Sequence, residues 1–394
     1  MGELVFSVFE HGSGSIARMR ELLSEFEEQE KIRVRLETIP WDVSWSRLVE
    51  VALYHNGPDV SEIGNTWVMD FFHMNALDPF TRDEINLITD GARFFEPAWD
   101  SCVTPSDGMM RSVWAIPWSG DVRVVYYRRD LLAKAGVDES TAFQDAAAFT
   151  NTLKRLRESG VPTPLAMQTR FSHISVHNLA AWIWGAGGDF ISADSRKILF
   201  HQDASLEGIK SYFRLGRYLG AQSLLDDTQA DQMFWSGEAA VLMSGYWVIR
   251  ESRMLPNVWQ NLGVTRLPGI PFVGGQNLAI WKHSRQRNSA VRLLRFLSSQ
   301  AVEQGVYPNF GLPIRENGWS SPPFNSPQYD IFRALLDSGR SFPNGRLWGL
   351  VEKRLTEVLP NLWSEVLQAP EKSDEIVETQ IRNLANRLEM AIGG

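Results

Sequence analysis

Chemistry-bearing side chains are sparse in this chain, and the sharpest combination is a pair of carboxylates accompanied by indoles. Asp121 closes the run Pro117-Trp118-Ser119-Gly120-Asp121, and Glu352 follows Trp348 by four residues, the spacing that puts two side chains on one helical face. Two carboxylates about 5 to 9.5 Å apart beside aromatic plates suit glycoside cleavage. The same residue types also suit holding a sugar without cutting it, because ring hydroxyls need strong acceptors and ring C–H faces need flat apolar surfaces. Hydrolysis is disfavoured because no pattern of eight regular β-α units appears. His173 and His177 are spaced i, i+4 and would need a third ligand to hold a metal; none is evident, so both are expected to be polar binding or surface residues. There is no Gly-rich phosphate loop, Cys/His cluster or zinc-protease helix motif, and Ser119 lacks the glycine spacing of a nucleophile elbow. No catalytic residue, metal or cofactor is expected.

Other candidates arise from loop chemistry. The chain holds 15 Trp against 8 Tyr, many of the indoles beside Pro, Gly, Ser or Asn, which is how a protein offers flat faces at turns. Trp41 follows Pro40 and so belongs to a loop ahead of the second helix. His11, Gly12 and Ser13 follow the first strand, where free backbone N–H groups at a helix start can meet a ligand hydroxyl. Gly275, Gln276 and Asn277 put small residues and amides at a second passage between halves of the chain.

Composition narrows the partners. The net charge of -8, from 47 acidic and 39 basic residues, offers no long-range attraction to nucleic acid or anionic membranes. The single cysteine, Cys102, rules out an intrachain disulfide framework and is expected to be inert and packed. No apolar run approaches the roughly 20 residues needed to cross a bilayer. At 394 residues, two compact units are expected rather than one.

The elements that must position these residues read as alternating strands and helices. Leu4 to Phe9 is a buried strand, followed by a helix carrying Met19, Leu22, Leu23 and Phe26. Ile32, Val34 and Leu36 mark a second strand, Ser44 to Tyr54 a helix stopped by Asn56-Gly57-Pro58, and Asp59 to Ile63 a third strand. This β-α order implies a parallel sheet. Val113 to Ile116 and Val122 to Tyr127 read as two strands interrupted at Pro117 to Gly120. Helices are expected near Thr141 to Glu158, Val176 to Trp184, Ser205 to Leu219 and Asn288 to Gln304. Short strands are expected at Leu165 to Met167, Ala239 to Met243, Gly263 to Leu267 and Asn277 to Trp281, then a loop-rich stretch from Asn309 and a helical C-terminal part. Hinge passages near 118–122, 269–273 and 314–319 divide the chain into a lobe of 1–118 plus 273–314 and a lobe of 122–269 plus 319–394.

Three segments resemble the extracellular solute-binding proteins of carbohydrate ABC importers, the maltose-binding-protein-like family. They are Pro117 to Asp121 with the strand to Tyr127 and Arg128-Arg129-Asp130-Leu131-Leu132; Met233 to Met243 closed by Ser244-Gly245-Tyr246-Trp247; and Asn56 to Val60 followed by Gly64-Asn65-Thr66-Trp67. The resemblance implies an α/β, two-lobed periplasmic-binding-protein-like fold of the class II type, each lobe a mostly parallel sheet flanked by helices, with the ligand held between lobes that close on it. It implies cleft aromatics at Trp67, Trp247 and Trp348, with Tyr246 adjacent, a helix start at Asn65 and Thr66, and a hydroxyl-accepting Asp121, to which Glu352 adds a second carboxylate. It implies a small oligosaccharide or glycoside as ligand, though some relatives take polyols or glycerol phosphodiesters. The partners would be ABC permease subunits with their ATPase, the protein itself a monomer and no enzyme; a sugar-binding receptor that docks to no permease is the alternative. Its place would be periplasmic or extracellular, lipid-anchored in a Gram-positive-like source, with the signal segment lying outside the sequence given.

Overall fold

Leu4–Phe9 is apolar at nearly every position and forms β1, covered on both faces as a central strand of a parallel sheet must be. The computed structural model describes residues 2–12, 14–104, 111–171, 174–220, 224–250 and 253–393. The other strands among them are β2 (Val34–Ile39), β3 (Val60–Gly64), β4 (Ile116–Arg128), β5 (Thr163–Met167), β6 (Ala239–Gly245), β7 (Leu262–Arg266) and β8 (Val273–Ile280).

The chain separates into two units. The first comprises Met1–Asp121, Val273–Asp337 and Asn344–Arg346; the second comprises Val122–Phe272, Ser338–Pro343 and Leu347–Gly394. The chain thus changes unit at 121/122 and 272/273, and in place of the single later passage expected near 314–319 it changes at Asp337/Ser338, Pro343/Asn344 and Arg346/Leu347.

In the first unit β1 pairs in parallel with β2 and β3, and β8 closes on β3 in the antiparallel sense, with Ile63 opposite Asn277 and Gly64 opposite Gln276. Helices Ser15–Glu30, Ser44–Tyr54 and Arg287–Leu297 cover this sheet through Met19, Leu22, Phe26, Leu48, Leu293 and Leu294. Cys102 lies in the same core with no exposed surface, and burial pushes its thiol far above the ordinary range.

In the second unit β4 pairs antiparallel with β6 and β7, and β5 lies parallel to β6. Its core joins Phe149, Leu153, Ile209, Phe213, Trp363 and Ile381 from the helices packed on this sheet. Glycines let these helices approach closely: a Cβ on Gly208 would stand 2.5 Å from the Trp182 carbonyl oxygen.

Three expectations about single elements are corrected. Ile116–Arg128 is one 13-residue strand instead of two pieces broken at Pro117 to Gly120. The segment stays extended because Gly120 and Leu312 exchange backbone hydrogen bonds, each 2.8 Å, and Pro117 sits next to the strand's first residue, where a missing N–H is tolerated. The helix expected over Asn288 to Gln304 is two helices, Arg287–Leu297 and Gln300–Phe310, because Ser299 turns extended (φ -72°, ψ 143°) and restarts the chain as an N-cap. The second of these runs past Pro308, so the loop expected from Asn309 begins only after Phe310.

Candidate functional site

The first unit gathers one group of candidates at the ends of β1, β3 and β8. Glu62, on β3 and without exposed surface, accepts the Phe9 backbone N–H at 2.8 Å and lies 2.6 Å from His11 Nε2. This buried carboxylate fixes the imidazole where β1 ends, as a desolvated acid requires paired donors. The ring stands edge-on to Trp41, with centroids 5.3 Å apart and an interplanar angle of 89°, and packs 5.0 Å from Phe310. Trp41 begins a 3-10 turn after Pro40 and is 37% exposed, the most open indole among the candidates. Gly12, next in sequence to His11, is exposed, and Ser13 lies outside the described residues.

Trp67 is nearly closed off, lying against Gly64 and within 5.3 Å of Trp45, so much of its surface belongs to the core. Asn65 donates to the Val273 carbonyl at 3.3 Å, and Thr66 is half-buried. Gln276 accepts from Ser119 Oγ at 2.5 Å, and Asn277 donates to Ser101 Oγ at 3.2 Å, so one amide faces β4 and the other is spent inside the unit. Gly275 has φ +137°, and a Cβ there would fall 2.1 Å from the Ser119 carbonyl oxygen. Asp121 is buried at the point where β4 leaves this unit.

The second unit holds the other group. Trp247 opens the short helix Trp247–Arg250 just beyond β6 and is half-buried. Its Nε1–H donates to Asp231 Oδ2 at 2.7 Å, while Ser244 Oγ donates to Asp231 Oδ1 at 2.7 Å. Burial pushes the Asp231 carboxyl up to about 7, against the downward pull of those two hydrogen bonds. Arg123 pairs with Gly245 across β4 and β6 and holds its guanidinium carbon 4.7 Å from the Trp247 ring centre. Its Nη2 lies 3.3 Å from His177 Nδ1, and His177 Nε2 lies 3.8 Å from Glu352 Oε1. His177 also stacks on Phe272 at 4.1 Å. Tyr246 is buried and receives a hydrogen bond from Arg250 at 3.0 Å. Trp348 stacks on Phe342 at 4.1 Å and meets Phe190 edge-on at 5.2 Å, which leaves it 2% exposed.

Arg123 and Asp231 were not singled out as ligand-binding candidates from the sequence, whereas His177 was expected as a polar binding or surface residue. One signal was available: Arg123 interrupts the apolar run Val122-Arg123-Val124-Val125 of a strand buried along its whole length. Asp231 similarly shares a helical face with the buried Phe234 and Trp235. His173 lies outside the described residues, and among those described no group of three or more His, Cys, Asp or Glu side chains is arranged to hold a metal.

The model for "Bacterial extracellular solute-binding protein" matches residues 13–304. Among curated proteins, the diacetylchitobiose-binding protein DasA of Streptomyces coelicolor is 24% identical over 301 residues, covering 73% of this chain and 67% of its own. Among solved structures, the sugar-binding protein MalE of Xanthomonas citri superposes with a TM-score of 0.80 at 23% identity, covering 100% of this chain and 98% of its own. Maltose-bound MalE3 of T. maritima superposes with a TM-score of 0.81 at 18% identity, covering 98% and 100%. The fold is therefore the two-lobed α/β fold of these binding proteins. Family members are extracellular or periplasmic substrate-binding proteins that work with ABC permeases. With a match spanning roughly three quarters of its length, the chain belongs to the bacterial extracellular solute-binding protein family.

Proposed function

We propose that this chain is the solute-capturing component of an ABC importer and that its ligand is a neutral, hydroxyl-rich carbohydrate, a small oligosaccharide or glycoside. The single observation that carries the ligand class is the half-buried Trp247, held by its edge on Asp231 under the buried Arg123, which leads on to the half-buried His177 and the buried Glu352. An apolar plate ringed by hydrogen-bonding groups of both signs matches a sugar, whose ring offers C–H faces and an edge of donors and acceptors. The first unit adds the open indole of Trp41 beside His11, and the polar edge of Asp121.

In this reading binding shifts the protein toward a second state only through interactions with the sugar that the first state lacks. The chain performs no covalent chemistry; energy for transport comes from the partner ATPase, and a monomer suffices. Export to the periplasm or cell surface, with a lipid anchor where the source requires one, completes the proposal.

A thermal-shift screen over mono-, di- and trisaccharides, polyols and glycerophosphodiesters, followed by calorimetric titration, tests it. A saccharide at a hundred times its dissociation constant should stabilise the protein by about 2.7 kcal/mol. Stabilisation by a polyol or glycerophosphodiester alone would move the ligand class. Turnover of any glycoside, abolished by Asp121→Asn, would replace binding with hydrolysis.

A further inference from the structure

We propose that Asp231 is the positioning residue of the second unit's site, setting the plane in which Trp247 presents its indole to a sugar; this rests on the reading that Trp247 contacts ligand. Asp231 lies on helix Asp227–Trp235, one element before the strand that carries Ser244, and is 3% exposed. Each of its carboxyl oxygens has one donor: Ser244 Oγ on Oδ1 and Trp247 Nε1–H on Oδ2, both at 2.7 Å.

This arrangement is directional. An indole N–H can only donate, so its hydrogen bond fixes which edge of the ring points inward and leaves the opposite edge to face away from the helix. Ser244 fixes the carboxyl plane in turn, so the acceptor does not rotate with the ring. Two further contacts restrain the remaining freedom: the indole fills the space where a Cβ on Gly245 would stand, and the Arg123 guanidinium lies over one ring face, 4.7 Å from its centre, which leaves the other face for a sugar. Stacking onto a sugar depends on ring orientation, and a plate held at its nitrogen, over one face and against Gly245 needs no reordering when ligand arrives. Burial of a carboxyl group to serve one serine would be a costly way to brace a helix, since a lost acceptor there costs the full desolvation of its partners. Asn at this position keeps the geometry, with the amide oxygen accepting from Trp247 and the amide nitrogen donating to Ser244.

The experiment uses the full chain and two readouts. The first is the indole N–H resonance of Trp247 in the protein without sugar, assigned by its disappearance in Trp247→Phe. It should move in Asp231→Ala, move less in Ser244→Ala, and stay in place in Asp231→Asn. The second is calorimetric affinity for maltotriose and diacetylchitobiose. Asp231→Ala should weaken whichever of these binds by at least about tenfold, Asp231→Asn by less than about threefold, and Asp231→Ala should add no further loss in the Trp247→Phe background. If Asp231→Ala does not fold, Ser244→Ala and Asp231→Asn carry both readouts. An unmoved resonance in both Asp231→Ala and Ser244→Ala, or an equal loss from Asp231→Ala with and without the indole nitrogen, overturns the proposal. If Trp247→Phe and Trp247→Ala leave affinity unchanged while the resonance moves as stated, the positioning stands and the ligand-contact reading fails.

Discussion

A methyl group at Gly245 would stand 2.0 Å from the six-membered ring of Trp247, so the indole occupies space that only glycine leaves open. The two residues are separated by a single position, at the turn from β6 into the following helix. Gly245→Ala should therefore displace the ring without straining the backbone. The expected result is a loss of sugar affinity of about tenfold or more, with an overpacking cost of about 1–3 kcal/mol. Calorimetric titration alongside urea denaturation separates the two effects.

Trp247 and Trp348 should respond differently to truncation. Trp348 is 2% exposed within a stack of Phe342 and Phe190, so Trp348→Ala leaves a large void and should cost about 3–5 kcal/mol of stability. Trp247→Ala should instead lower affinity more than about tenfold with a smaller fall in denaturation midpoint. Equal destabilisation by the two would contradict this.

Gly275→Ala probes the end of β8. With φ at +137° and the Ser119 carbonyl oxygen only 2.1 Å from the position a methyl would take, alanine has no relaxed conformation there. A stability loss of about 1–3 kcal/mol is expected, and a melting temperature equal to that of the parent would count against the described approach of β8 to β4.

Stability should fall as pH rises from about 5 to about 8. Burial raises the carboxyl of Asp231 to about 7, of Glu303 to about 8 and of Asp70 to about 6. Each holds its proton more tightly folded than unfolded. Its contribution is complete below the ordinary carboxyl value and is lost as pH climbs through the folded one. Carboxyls lowered by arginine partners, such as Asp130 and Asp374, act oppositely and only at more acidic pH. Scanning fluorimetry at constant ionic strength should show a decline of at least about 2 °C across this window, reduced in Asp231→Asn. A flat or rising curve would exclude it.

Much of this architecture was legible before any coordinates. Val34–Ile39 and Ser44–Tyr54 have apolar periods that point to one kind of element, the short apolar run Leu4–Phe9 has the length of a buried strand, and the helix ending at Glu158 was displaced only at its start, where Asp145 caps it at Ala146. Pro117-Trp118-Ser119-Gly120 misread as a break because turn-forming residues stay extended when a distant segment, here Leu312, satisfies their backbone. The site was legible in part. Trp247 and Glu352 carry a motif or spacing, whereas for Asp231 the helical face shared with Phe234 and Trp235 signals burial but not the partners Ser244 and Trp247 that close on it. Ion and hydrogen-bond partners far apart in sequence leave no periodic trace.

Cys102 has a practical use. The only thiol in 394 residues is sealed in the first unit's core and held in its unreactive, protonated form. Maleimide dyes added to the native protein should therefore ignore it, and a second cysteine placed at a solvent-facing site would be labelled alone. The wild-type background is in that sense ready-made for a fluorescent sensor, with no cysteine to remove first.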